Sequence, residues 1–521
     1  MPNDRAARAL TGLALAVALA PGAPRAETPL SAIDWLSQSA TLPRGAVVAG
    51  APPGSMDEPA VTRDARPGDV AVSVLGGPSL DAVGLLSPQT TGLPRDLWGM
   101  GLTREIVAAI AADRPEPLPA LNALVITLLL AEAEPPADSD GTGTLLLARI
   151  DQLLAMGALD AAASLLAASG AETLDLFRRS FDVALLSGSE DRACEKMRAA
   201  PDLAPTFPAR IFCLARAGDW NAAALTLRTA QALGHVSPEE DALLSRFLDP
   251  DLYEGEPPLP PPARPTPLVW RMFEAVGEPL PTQGLPLAFS HADLGIRAGW
   301  KAQVEAAERL ARAGVIAPNL LLGIWTERKP AASGGAWDRV AALQDMEAAF
   351  RSGEAARVAR ALPPAWRAMA EAGLEVPFAQ IFAADLERVP PGDAAGALAF
   401  RILLLSDRAE AAARARAPRD AEEAFLIGVA TGDLRGTTPP DAMARAVAEG
   451  FARPALSEQM TALLDQRRVG EVLLAAVDRI GTGTQGDLRG VTEGLAALRR
   501  LSLEGTARRT ALQLLLLDHR G

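Results

Sequence analysis

Two cysteines, Cys194 and Cys213, are the only thiols in this 521-residue chain, and their placement allows one specific piece of chemistry. Helical periodicity puts Cys194 in a helix that starts after Ser189 and Cys213 in a helix over Phe207 to Ala217. The turn between them runs through Pro201-Asp202-Leu203-Ala204-Pro205, and the midpoint of the two cysteines falls inside it. Residues equidistant from the turn of an antiparallel helical hairpin stand at the same height. The spacing therefore permits a disulfide if both side chains face inward, and two inert buried thiols otherwise.

The other reactive types give mostly exclusions. His235, His291 and His519 are far apart, without a His-x-x-x-His or Cys-x-x-Cys pair, which argues against the common zinc sites. They read as turn, loop and tail residues. There is no Gly-x-Ser-x-Gly elbow and no Walker lysine motif. Gly481-Thr482-Gly483-Thr484-Gln485-Gly486 fits the dinucleotide pattern formally, with Glu504 where a ribose-binding acid would stand. A dinucleotide turn needs a strand before its first glycine, whereas Val472 to Arg479 has a helical pattern, so an interhelical loop is expected. Carboxylate pairs such as Glu132 with Glu134, or Glu422 with Glu423, read as solvated helix faces. No catalytic, cofactor-binding or metal-ligating set is expected.

The elements that would position these residues are helical almost everywhere from Leu97 onward. In Trp300 to Ala313, Trp300, Val304, Ala307, Leu310 and Ala311 share a face, while Glu305 with Arg309 and Glu308 with Arg312 are spaced for i,i+4 pairs on another. Gly314 follows as a left-handed cap, and the same stop recurs at Gly157, Gly218 and Gly373. Ser237-Pro238-Glu239-Glu240 is a helix start with a capping box. Asp219 caps a helix from Trp220 to Leu233. Leu118 to Ala131 is too short for a bilayer and reads as a buried helix. The tryptophans, Trp220, Trp270, Trp300, Trp325, Trp337 and Trp366 among them, read as fillers of interhelical gaps.

Composition agrees with this picture. Hydrophobic residues make up 49% and charged residues 22%, but aromatics only 4%, so Ala, Leu and Val carry the core, which suits close-packed helices. The formal charge is −14, which repels nucleic acid and anionic lipid. At the N-terminus Arg5 and Arg8 precede an apolar run, Ala9 to Ala20, with Ala26 before a cleavage point; this is the layout of a secretory signal peptide over 1–26. Residues 27–95 are rich in Pro, Gly, Ser and Asp and predict an irregular arm or linker, with Val70, Val72 and Val74 as the one strand-like alternation. A helical-repeat domain is expected over 96–250, a Pro-rich linker over 251–267 and a second helical-repeat domain over 268–521. The proline run from Glu256 through Pro267 is either a polyproline spacer, the default, or an extended strap packed on one domain.

The fold class is therefore all-α, an irregular α-solenoid of helical hairpins with an extended, poorly structured N-terminal arm. Leu214 to Leu233, with Ala217-Gly218-Asp219-Trp220 followed by Asn221-Ala222-Ala223-Ala224, resembles one unit of a tetratricopeptide-like solenoid. The glycine stops fall at unequal intervals, so a constant repeat of roughly 34 residues does not hold, and no peptide-groove residues carry over. In style the chain, with Ala32-Ile33-Asp34-Trp35-Leu36-Ser37 soon after the signal, resembles exported helical-repeat proteins of alphaproteobacteria; that resemblance implies no activity. The expected function is a non-catalytic periplasmic scaffold or adaptor that binds protein partners. The alternative is a helical protein of peptidoglycan metabolism, since some lytic transglycosylases carry exported helical solenoids. That family's catalytic Glu-Ser motif is not found here.

Overall fold

A computed structural model describes residues 79–517, apart from 113, 115–117, 171–172, 391–393 and 453. The signal segment, the alternating valines, Ala32 to Ser37 and His519 lie outside the described residues. Those described are helical, and their one isolated β-bridge is parallel and joins Leu86 to Ala131.

Helices α1 to α4 are Pro88–Thr91, Thr103–Ile110, Pro119–Leu130 and Thr144–Ala155. Helices α5 to α11 are Leu159–Ser169, Leu174–Ser187, Glu190–Ala199, Phe207–Arg216, Trp220–Ala232, Pro238–Leu248 and Pro267–Ala275. A 3-10 segment, Leu287–Leu294, leads to α12 to α18: Trp300–Arg312, Pro318–Thr326, Ala336–Ser352, Ala355–Glu371, Glu375–Leu386, Ala394–Leu403 and Ala409–Arg414. The last six, α19 to α24, are Ala421–Thr431, Ala442–Phe451, Glu458–Asp465, Val469–Thr484, Leu488–Arg500 and Glu504–Leu516.

The local rules that write these helices are visible at their ends. After α4, α8, α9, α12 and α15 a glycine takes positive φ and the next N–H reaches back five residues, as in Ala158 to the Leu153 carbonyl and Val315 to that of Leu310. Ser237 and Glu240 close a reciprocal capping box, and Asp219 accepts from the Ala222 N–H. Pairs of neighbouring helices then pack as hairpins: α7 on α8, α8 on α9, α14 on α15, and α22 on α23.

The packing does not follow the expected division at 251–267. One core cluster runs from Phe177 to Phe273 and so spans the proline run; another holds residues from Leu86 to Leu514. The proline run is a strap. Leu259 donates its N–H to Glu278 at 2.8 Å, Arg246 donates to the Pro257 carbonyl at 3.1 Å, and Arg246 also pairs with Glu278. The array also returns on itself, because α3 packs on α24 and α2 on α22, and Gln513 accepts from the Ala120 N–H at 2.9 Å.

The described end of the expected arm is likewise packed, with Leu86 and Leu93 buried. Two buried charges hold it. Asp81 accepts from the Leu145 and Leu146 N–H groups at 2.8 and 3.1 Å, capping α4, whose own N-cap is the bare Gly143. Arg149 donates to the carbonyls of Val83, Leu129 and Ala131 at 2.6, 2.6 and 2.9 Å, joining arm, α3 and α4. Burial pushes the Arg149 guanidinium down to about 10, against the attraction of Asp81.

Candidate functional site

An open groove of about 630 Å³ lies between α16, α17 and α18. Leu386, Val389, Phe400 and Leu403 form its apolar floor, and Ala411, Ala412 and Ala415 present a wall of small side chains. The short side chains of Ala411, Ala412 and Ala415 leave the groove open beside Phe400.

The rim is charged and internally balanced. The Arg416 guanidinium lies over the Phe400 ring, 4.4 Å from its centroid, and pairs with Glu423 at 2.8 Å. Arg419 reaches the same carboxylate at 3.2 Å, and its backbone N–H donates to it at 2.8 Å. Burial pushes Glu423 up, but these N–H groups outweigh it and hold the carboxyl below its usual range. Glu387 at the opposite edge pairs with Arg408 at 2.6 Å. An apolar floor with neutralised charges at its edge suits an apolar or amphipathic protein segment.

A second exposed apolar feature lies on α9, where Leu225 and Leu233 are 67% and 60% exposed. Trp220 heads this helix half-exposed, tilted against Phe247 at 6.3 Å, so it is not the gap filler expected; Trp270, Trp300 and Trp325 are buried. Residues α7 and α8 bring together meet here too. Cys194 and Cys213 form a disulfide with their Cα atoms 5.0 Å apart. One turn before Cys194, the buried Glu190 carboxylate stands 3.4 Å from Arg216, three residues past Cys213.

The other sequence candidates stay separate. His235 stacks on Phe207 at 5.2 Å, and the half-buried His291 donates through Nε2 to the Gly157 carbonyl at 2.8 Å. Burial holds the His291 imidazole below its ordinary range. The Gly481–Gly486 stretch is not an interhelical loop over its length: Gly481 to Thr484 are the last turn of α22. The reason is packing. A Cβ on Gly483 would lie 2.3 Å from Val491, and one on Gly494 2.4 Å from Ile480, so glycines let α22 and α23 approach closely. Glu504 begins α24 and pairs with Arg499 at 2.9 Å.

The carboxylate pairs also differ from the expectation of solvated faces. Glu132 pairs with Arg95 and Glu422 with Arg401, but Glu423 is 5% exposed. On α12 the expected i,i+4 pairs are replaced by bonds to neighbours. Glu308, 3% exposed, pairs with Arg339, Arg309 binds Thr282, and Arg312 donates to the Ala372 carbonyl. Spacing within one helix shows nothing of the helices beside it.

Among the described residues no group of three or more His, Cys, Asp or Glu side chains gathers as a metal site, and no helix is long and apolar enough to cross a membrane. No family model, curated protein or solved structure matches the chain. Sequence reasoning missed the groove residues entirely. Their one signal is Ala409 to Ala417, an alanine-rich run broken only by charges, which reads equally as an ordinary helix.

Proposed function

We propose that the chain is a non-catalytic periplasmic scaffold or adaptor, and that it holds protein partners in the groove between α16, α17 and α18. The observation that carries this reading is an apolar floor left open beside charges already neutralised by their neighbours. A partner entering it gains the burial of the exposed Ala411 and Ala415 and the half-buried Val389 without having to supply a counter-charge. The signal-peptide layout of residues 1–26 and the Cys194–Cys213 disulfide both support an oxidising compartment.

The test is affinity capture of the exported chain with Ala411→Asp and Ala415→Glu beside the unaltered protein and Leu225→Glu. Ala411 on α18 and Ala415 just past its end are both exposed, so the charges enter the groove without disturbing the core. The expected result is a partner lost from both groove variants and kept by Leu225→Glu. Equal capture by all of them, or turnover of peptidoglycan by the purified chain, overturns the reading.

A further inference from the structure

We infer that the chain also binds a small organic carboxylate, in a cavity of about 310 Å³ where α8, α10 and α11 meet the loop before α12. Three guanidinium groups, those of Arg216, Arg271 and Arg297, line it against a single carboxylate, Glu274. Two are fixed from behind. Arg216 is held by Asp191 at 2.6 Å, and Arg271 by Glu274 and the Leu185 carbonyl. Glu190, 1% exposed, lies behind both, 3.4 Å from Arg216 and 4.0 Å from Arg271 Nε.

This cluster has a donor left over: the Nε–H of the buried Arg271 has no hydrogen-bond partner among the described residues. Arg297 stands exposed in the loop Gly295 to Gly299 with no ion pair or hydrogen bond among the described residues, which leaves its five donors to solvent or a ligand. A planar fork of donors matches a carboxylate in two parallel bonds. Phe247, stacked on the buried Phe212 with centroids 5.7 Å apart, offers an apolar wall for the ligand's body. The volume falls at the small end of ligand sites. The disulfide one turn away ties α7 to α8 and keeps Glu190 behind Arg216.

Titration calorimetry on the full chain tests this, with benzoate as probe, benzylamine as its cationic counterpart and phenyl phosphate as the other anion. Benzoate is expected to bind saturably and benzylamine not at all. Arg297→Ala is expected to weaken benzoate by about tenfold or more, the worth of one charge-assisted hydrogen bond. Arg228→Ala, at an exposed position on α9, should leave it unchanged. No saturable benzoate binding, tighter binding of phenyl phosphate or benzylamine, or undiminished binding by Arg297→Glu overturns the inference. Ala415→Glu should bind benzoate normally, which separates this site from the groove.

Discussion

Asp182 carries its charge under protest. Burial drives its carboxyl up to about 6, against the pull of Arg178 and Arg179 and with the repulsion of Asp151. A carboxyl whose folded pKa exceeds its unfolded one adds stability below the unfolded value of roughly 4 and loses it as pH rises through about 6. Asp182→Asn should therefore raise the melting midpoint at pH 7.5 and make little difference near pH 4. An equal shift at both pH values would refute the assignment. The cysteines allow a second test at this scale. Their bridge closes a sequence separation of 19, so replacing both by serine should lower unfolding stability by about 3 kcal/mol in urea titration. The cysteine spacing was legible because a hairpin has a centre from which to count. Glu190, Asp81 and Arg149 were not, because their partners lie on other elements and no local pattern names them.

At the scale of the element, ends were far more legible than interfaces. Gly157, Gly218, Gly314 and Gly373 stop helices where left-handed caps were expected, because caps are local chemistry. By contrast, α15 continues through Pro363 and Pro364, and Gly481 and Gly483 sit inside α22, since contacts with neighbours override local preference. The two glycines give opposed predictions. No atom lies within 4 Å of a Cβ on Gly481, so Gly481→Ala should stabilise by about 0.5–1 kcal/mol through helix propensity. Gly483→Ala must displace buried Val491 and should destabilise by about 1–3 kcal/mol. Chemical denaturation of the two variants distinguishes them, and a shared sign would contradict the close approach of α22 and α23.

At the scale of the whole molecule, the sequence yields the all-α class but not the way the chain turns back on itself. The proline run is extended, as its composition requires, yet it lies along α10 because Arg246 and Glu278 hold it there. Composition fixes the backbone of such a segment and leaves its neighbours unspecified. The joining of α3 to α24 has its own test. Gln513→Leu leaves the Ala120 N–H unpaired in a buried place and should lower the stability of the whole fold by about 1–3 kcal/mol. A variant that loosens only the last helix would show that the ends are not coupled.

The bond between Ala120 and Gln513 spans 393 positions. A nascent chain emerges from its N-terminus, at a pace that makes such a stretch take on the order of tens of seconds. Throughout that time the part of α3 that packs on α24 has no final neighbour to cover it. Maturation thus waits on the last helix to arrive, and a helper that shields greasy surface during biogenesis becomes part of what this architecture demands.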